Sequence, residues 1–166
     1  MEPTGNPEVH RAIVELLNSR GVAFREARHG PTRTSMEAAE ARGEPLAIGG
    51  KALVIRVDGV FRLFVLSAAR KLDNRAIKGR FGTHDTRFAT PEELGEMAGL
   101  VPGCVPPFGR PILPVDLFLD SSILANDRIA FNAGMLTVSM ILDRAAYVEV
   151  ARPTEVFTFS LEGEAP

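Results

Sequence analysis

The sequence predicts a single mixed α/β domain, and three observations carry that expectation. Segments with apolar residues at helical spacing alternate along the chain with short β-branched runs. Two of those runs, KALVIRV (51–57) and VFRLFVL (60–66), flank Asp58-Gly59, a pair that favours a two-residue hairpin turn. The 166 residues hold no internal repeat, low-complexity tract or linker, and a chain of that size buries roughly 70% of its unfolded surface as one domain. We read residues 1–152 as the domain and 153–166 as a C-terminal tail, an edge strand from the alternating VFTFSL (156–161) followed by a disordered end.

Asn6-Pro7-Glu8 has the form of an N-cap with proline at the first helical position, after which Val9, Ile13, Leu16 and Leu17 share a helical face as far as Gly21. A short strand is expected from Val22 to Glu26. Thr34-Ser35-Met36-Glu37 has capping-box spacing and opens an alanine-rich helix that stops near Gly43. The hairpin follows. Asp73 or Asn74 caps a short helix through Lys78, and Thr90-Pro91-Glu92-Glu93 repeats the cap and proline signals for a helix to about Ala98. Then ILPVDLFLD (112–120), RIAFNAG (128–134) and LTVSM (136–140) read as strands. Residues 143–146 read as a helical turn, and YVEV (147–150) as a last strand or an extension of that turn.

Composition removes several classes. The hydrophobic fraction of 45% and charged fraction of 24% are those of an ordinary globular protein. With 19 basic against 21 acidic residues the net charge is -2, so any polyanion site must be local. A lone cysteine forms neither an intrachain disulfide nor a thiolate metal cluster, which suits a reducing compartment. MEPTGNPEVH lacks the basic, apolar pattern of a signal peptide, and no apolar run reaches the roughly 20 residues that cross a bilayer. The expectation is a cytoplasmic protein with no membrane partner. HExxH, CxxC, GxxxxGK and GxSxG are absent, and three histidines stand apart at His10, His29 and His84, so neither metal nor cofactor is expected.

What remains are a lysine, a loop and a basic segment. Lys51 heads an apolar strand behind Gly49-Gly50, where it is either solvated at a strand end or aimed into a pocket to fix a phosphate or carbonyl oxygen. GLVPGCVPPFG (99–109) packs three glycines, three prolines and the only cysteine into eleven residues. It is either a helix-to-strand connection or a rigid cradle in which the amides of Gly103, Cys104 and Val105 hold an oxyanion, stiffened by Pro106 and Pro107. Cys104 has no base beside it in sequence, and an unpaired cysteine reads first as a small buried hydrophobe. RKLDNRAIKGR (70–80) sets Arg70, Lys71, Arg75, Lys78 and Arg80 against one acid, either a contact face for a phosphate backbone or a solvated helix face. His29, before Gly30-Pro31, reads as a structural hydrogen-bonding group rather than a general base.

Lys51 on its strand, RKLDNRAIK, TPEELGEMAGLVPGCVPPFG and FNAG together resemble the YbaK/ProX family of aminoacyl-tRNA deacylases, related to the editing domain inserted in bacterial prolyl-tRNA synthetases. The resemblance runs from about Val22 to Val150. The family's GxxxP motif falls on Gly103 to Pro107, followed by Phe108-Gly109, and its lysine on Lys51. The resemblance implies a curved, mostly antiparallel sheet with helices around it. It implies hydrolysis in trans of the ester joining a wrong, small amino acid such as alanine, cysteine or serine to a tRNA for proline or a related tRNA. Lys51 would position the substrate, the amides around Gly103 and Cys104 would hold the reacting end, and a ribose hydroxyl of the substrate would help activate water. Met36 and Ala39 on the second helix are the expected pocket walls, with Asn132 and Gly134 near the mouth, and His29, Phe108 and Gly109 are further expected substrate-binding residues. Cys104 occupies a variable motif position. The partner is an aminoacyl-tRNA, with association with an aminoacyl-tRNA synthetase left open. Two rival readings stand beside it: a non-catalytic tRNA- or nucleotide-binding module, and a thiol hydrolase using Cys104.

Overall fold

Capping chemistry sets where the helices begin. In the computed structural model, which describes residues 3–163, Asn6 Oδ1 accepts from the Glu8 amide at 3.0 Å and opens α1 (Pro7–Ser19). Thr34 Oγ1 accepts from the Glu37 amide at 3.1 Å and opens α2 (Ser35–Arg42), which Gly43 ends at φ 69°. Asp73 caps α3 (Asn74–Phe81), and a reciprocal Thr90–Glu93 capping box starts α4 (Pro91–Ala98). Asp143 caps α5 (Arg144–Ala151), so YVEV extends a helix rather than forming a strand.

The strands in chain order are β1 (Phe24–Arg28), β2 (Gly50–Val57), β3 (Val60–Ser67), β4 (Arg70–Leu72), β5 (Thr86–Phe88), β6 (Asp116–Asp120), β7 (Arg128–Met135), β8 (Val138–Asp143), β9 (Glu155–Phe157) and β10 (Ser160–Glu162). The expected mixed, mostly antiparallel architecture forms, with the strands shared among three sheets: β5-β2-β3-β6-β9, β1-β8-β7 and β10-β4. Among the described residues, the β3–β6 and β6–β9 strand pairs are parallel and the other strand pairs antiparallel. The β2–β3 hairpin turns on Asp58 and Gly59 at φ 53° and 84°, the positive pair that a primed turn requires.

Three expectations shift. The strand expected at 22–26 lies two residues later. Residues 112–115 are not strand: Pro111 and Pro114 lack the amides a ladder needs, and Ile112 and Leu113 instead donate to the Gly109 carbonyl. The tail is joined to the sheets, because β9 pairs with β6 and β10 with β4, and buried Asp120 accepts from the Phe159 amide and the Ser160 hydroxyl, both at 2.6 Å. The disordered end expected beyond it lies, for residues 164–166, outside the described residues.

β3 is buried on both faces and separates two cores. Leu63 and Val65 face a larger one with Ile13, Leu17, Phe108, Phe131 and Tyr147, while Phe64 and Leu66 face a smaller one with Ile77, Phe118 and Phe159. A parallel bridge from Gly49 to Ala130 ties the start of β2 to β7. Against that seam, the end of α2 and the loop after α4 enclose a cleft.

Candidate functional site

The cleft has a volume of about 240 Å³, and Lys51, Arg42, Gly103, Val105, Ala39 and Asn132 are among its lining residues. Its geometry begins with Gly49 and Gly50. A Cβ on Gly50 would lie 2.8 Å from Ile129 Cδ1, and one on Gly49 would lie 3.0 Å from the Ala68 Cβ. Gly50 lets β2 pass close to Ile129 of β7 and Gly49 lets the chain pass close to Ala68 after β3, and Lys51 follows them half-buried on the cleft wall.

The opposite wall is the glycine-proline loop. Gly103, at φ 94°, presents its carbonyl to Asn132 Nδ2 at 2.9 Å. The Gly103 and Val105 amides have no acceptor among the described residues and stand at the cleft. The Cys104 amide differs from the expectation: it donates to Val101 O at 3.2 Å, so it is not available to an oxyanion. The Cys104 side chain is fully buried with Sγ against Val101, and burial pushes the thiol pKa up, the reverse of what a nucleophile needs.

Pro107, Phe108 and Gly109 support this loop from behind instead of lining the cleft. The Pro107 carbonyl accepts the Tyr147 hydroxyl, and burial pushes that phenol's pKa up. Phe108 packs edge-on against Phe131 and Tyr147 with ring centroids 5.5 and 5.4 Å away. A Cβ on Gly109 would meet Val115 O at 2.6 Å, which makes glycine a packing requirement there.

Asn132 lies at the floor of the cleft, 8% exposed, rather than near its mouth. Its Nδ2 donates to Gly103 O and to Thr32 Oγ1 at 3.2 Å, and its Oδ1 accepts from Ser139 Oγ at 3.2 Å and Arg42 Nη2 at 3.3 Å. Both amide groups are fully used. His29, expected to bind substrate, is not among the residues that line the cleft and stands one layer out, with Nε2 2.8 Å from Ser139 Oγ and Nδ1 donating to Gly30 O. Met36 is 41% exposed and does not line the cleft, whereas Ala39 does. Gly134 packs under α1, where a Cβ would lie 2.9 Å from Val9 Cγ1, and it too is away from the cleft.

Arg42 is the residue that sequence reasoning missed. It sits in the last turn of α2, three positions after Ala39 on the same face, and is only 8% exposed. Burial lowers its pKa to about 10, partly offset by Glu44, so it remains a cation at neutral pH. Glu44 is engaged elsewhere, with Arg25 at 2.6 Å and Arg128 at 2.9 Å, and its hydrogen bond from Arg128 leads the effects that hold its carboxyl below the usual range. These pairs fix the chain after α2 against β1 and β7. Among the described residues the lining includes Arg33, Arg42 and Lys51 and no carboxylate or imidazole.

The basic segment divides in two. Arg70 donates to Ser160 Oγ at 3.0 Å and to its carbonyl at 3.3 Å, and Arg80 pairs with Glu155, so both tie the tail to the domain. Lys71 and Arg75 are exposed and Lys78 is half-buried, and none forms an ion pair among the described residues. No cluster of three metal-ligating side chains and no helix long and apolar enough to cross a membrane occurs among the described residues.

The profile described as the aminoacyl-tRNA editing domain matches residues 29–150. The chain is 35% identical over 150 residues to the multifunctional Ser/Thr-tRNA deacylase ProXp-y of Escherichia coli K12, covering 87% of this chain and 89% of that protein. It is also 35% identical over 123 residues to the proline–tRNA ligase of Shouchella clausii, covering 74% of this chain and 21% of the ligase. Among solved structures, a candidate trans-editing enzyme for prolyl-tRNA synthetase superposes with a TM-score of 0.77 at 26% identity, over 93% of this chain and 98% of that one.

Proposed function

This chain belongs to the aminoacyl-tRNA editing domain family, and from that membership we propose that it hydrolyses, in trans, the ester of a mischarged aminoacyl-tRNA. The observation that carries the reading is the placement of Lys51 on the same cleft as the unpartnered Gly103 and Val105 amides. An aminoacyl ester is already activated. It needs to be held, its carbonyl polarised, and water admitted. Water adds to the acyl carbon while negative charge gathers on the carbonyl oxygen. Collapse breaks the bond to the ribose oxygen, which takes a proton, and releases the amino acid and the free 3′ end. Loop amides that stabilise the oxyanion are worth on the order of 10²–10³ in rate each. Lys51 positions the substrate by charge. Among the described residues no lining side chain is a carboxylate or imidazole, and the vicinal ribose hydroxyl of the substrate is the group we assign to water activation.

The small residues Ala38, Ala39, Gly49 and Gly50 among the lining support a small acyl group. Alanine, cysteine and serine fit such a chamber, and a methylene more or less is worth only about 1–3 kcal/mol there. Similarity to proline–tRNA ligases supports a tRNA for proline as carrier. The Escherichia coli relative's name favours serine among the three and extends the set to threonine.

The test is hydrolysis of a panel of purified aminoacyl-tRNAs by the protein and by its Lys51→Ala variant. We expect selective loss of one or two mischarged species and a rate reduced at least tenfold in the folded variant, since a charge-assisted contact is worth roughly 1.5–3 kcal/mol. Binding of tRNA with every ester surviving would instead favour a non-catalytic module.

A further inference from the structure

Resting on the editing reading, we infer that Arg42 is the residue that selects a hydroxyl-bearing acyl side chain, by donating a charge-assisted hydrogen bond to its oxygen from the cleft floor. Five N–H bonds radiate from a guanidinium, and Arg42 commits Nη2 to Asn132 Oδ1. Its Nε is buried below the surface with no acceptor, and its Nη1 makes no hydrogen bond among the described residues, so Nη1 is the donor left for a ligand in the cleft that Arg42 lines. A buried cation is costly unless it is paired and hydrogen-bonded. Glu44, the carboxylate whose field raises the Arg42 pKa, is itself held by Arg25 and Arg128.

Asn132 cannot supply the missing acceptor, because both of its amide groups are saturated by Gly103, Thr32, Ser139 and Arg42 itself. It fixes the guanidinium in place instead. The unsatisfied donor capacity therefore belongs to Arg42, at the floor of a cleft whose neighbouring walls, Ala38, Ala39 and Phe131, offer nothing polar from their side chains. An acyl chain ending in an oxygen satisfies that donor, and an alanyl chain leaves it unpaired. A lysyl or arginyl chain is repelled by Arg42 and Lys51 together. Sites built to hydrogen-bond a substrate hydroxyl discriminate strongly against the analogue lacking it, for this reason.

The experiment compares kcat/KM for seryl and alanyl esters on one tRNA, for the unmodified protein, Arg42→Met and Arg42→Lys. The unmodified protein is expected to favour the seryl ester about tenfold or more, the size of a hydrogen bond to a charged donor. Arg42→Met should lose most of that preference, the seryl rate falling several-fold further than the alanyl rate, and Arg42→Lys should restore part of it. A merely structural role would lower both rates together and leave the ratio unmoved, which overturns the inference. Should Arg42→Met fail to fold, the unmodified protein still decides: an alanyl rate equal to or above the seryl rate overturns it. Hydrolysis of neither ester, nor of any panel member, would overturn the functional reading itself, an outcome distinct from a shared fall or an absent preference.

Discussion

Asn132 Nδ2 holds the Gly103 carbonyl at 2.9 Å, and this one hydrogen bond fixes the glycine-proline loop to the strand at the floor of the cleft. On the same loop, the amides at Gly103 and Val105 have no acceptor among the described residues. The Asn132→Ala substitution would strip partners from Gly103, Thr32, Ser139 and Arg42 at once. We expect a loss of about 1–3 kcal/mol in stability, the cost of orphaned buried polar groups, and a fall in kcat of at least about tenfold. Urea unfolding and single-turnover deacylation measure the two. Parent-like turnover would remove Asn132 from the loop's support.

Cys104 is expected to be dispensable for chemistry. Its thiol is enclosed, its Sγ is engaged by Val101, and burial raises its pKa. Cys104→Ala should keep deacylation within about threefold and cost about 1 kcal/mol of stability, the worth of a small buried apolar group. Iodoacetamide should label the native protein slowly and the unfolded chain fast. Abolished turnover in the folded variant would revive the thiol mechanism.

Capping residues, the hairpin and the loop were legible in the sequence because each is a local device: Asn6, Thr34, Thr90 and Asp58-Gly59 act within a few residues of themselves. Lys51, Ala39, Asn132 and Gly103 were placed on a common cleft for a different reason, the family resemblance, since no spacing in the chain connects them. Arg42 was invisible because its position matters only through Asn132, ninety residues away, and in sequence it looks like the basic end of an exposed helix. Pro107, Phe108 and Gly109 belong to the same motif as Gly103, yet they serve it from the core side. A motif's spelling does not say which of its residues face the ligand. β4 and β5, at three residues each, are too short for periodicity to register, and β10 pairing with β4 is a long-range choice that burial of Phe159 enforces.

If the basic segment contacts the phosphate backbone, the contact belongs to Lys71, Arg75 and Lys78, because Arg70 and Arg80 are committed to Ser160 and Glu155. Lys71→Glu, Arg75→Glu and Lys78→Glu combined should weaken tRNA binding and flatten the slope of log K against log salt by about two to three, near one per lost phosphate contact. Small-substrate ester hydrolysis at the cleft should be unaffected. A slope equal to that of the parent would return the segment to a solvated face. The matching change Arg70→Glu is the less clean probe, since it also frees β10 from β4.

Glu93 gives the fold a defined acid dependence. The Arg87 hydrogen bond, then the Thr90 amide, hold its carboxyl down to about 2 from an ordinary 4.5. A carboxylate depressed in the folded state contributes stability that is fully present above its unfolded value and is lost as pH falls through its folded one. Glu93→Gln keeps an acceptor for the capping box but removes the ion pair with Arg87. The variant should therefore unfold at a lower temperature than the parent at neutral pH, with the gap closing between about 4.5 and about 2. Raising the salt concentration should narrow the same gap at neutral pH, because the pair is partly open to solvent. Calorimetry of both proteins across that range is the check. A difference that stays constant down to the folded value would mean that Glu93 acts through packing of α4 rather than through its charge.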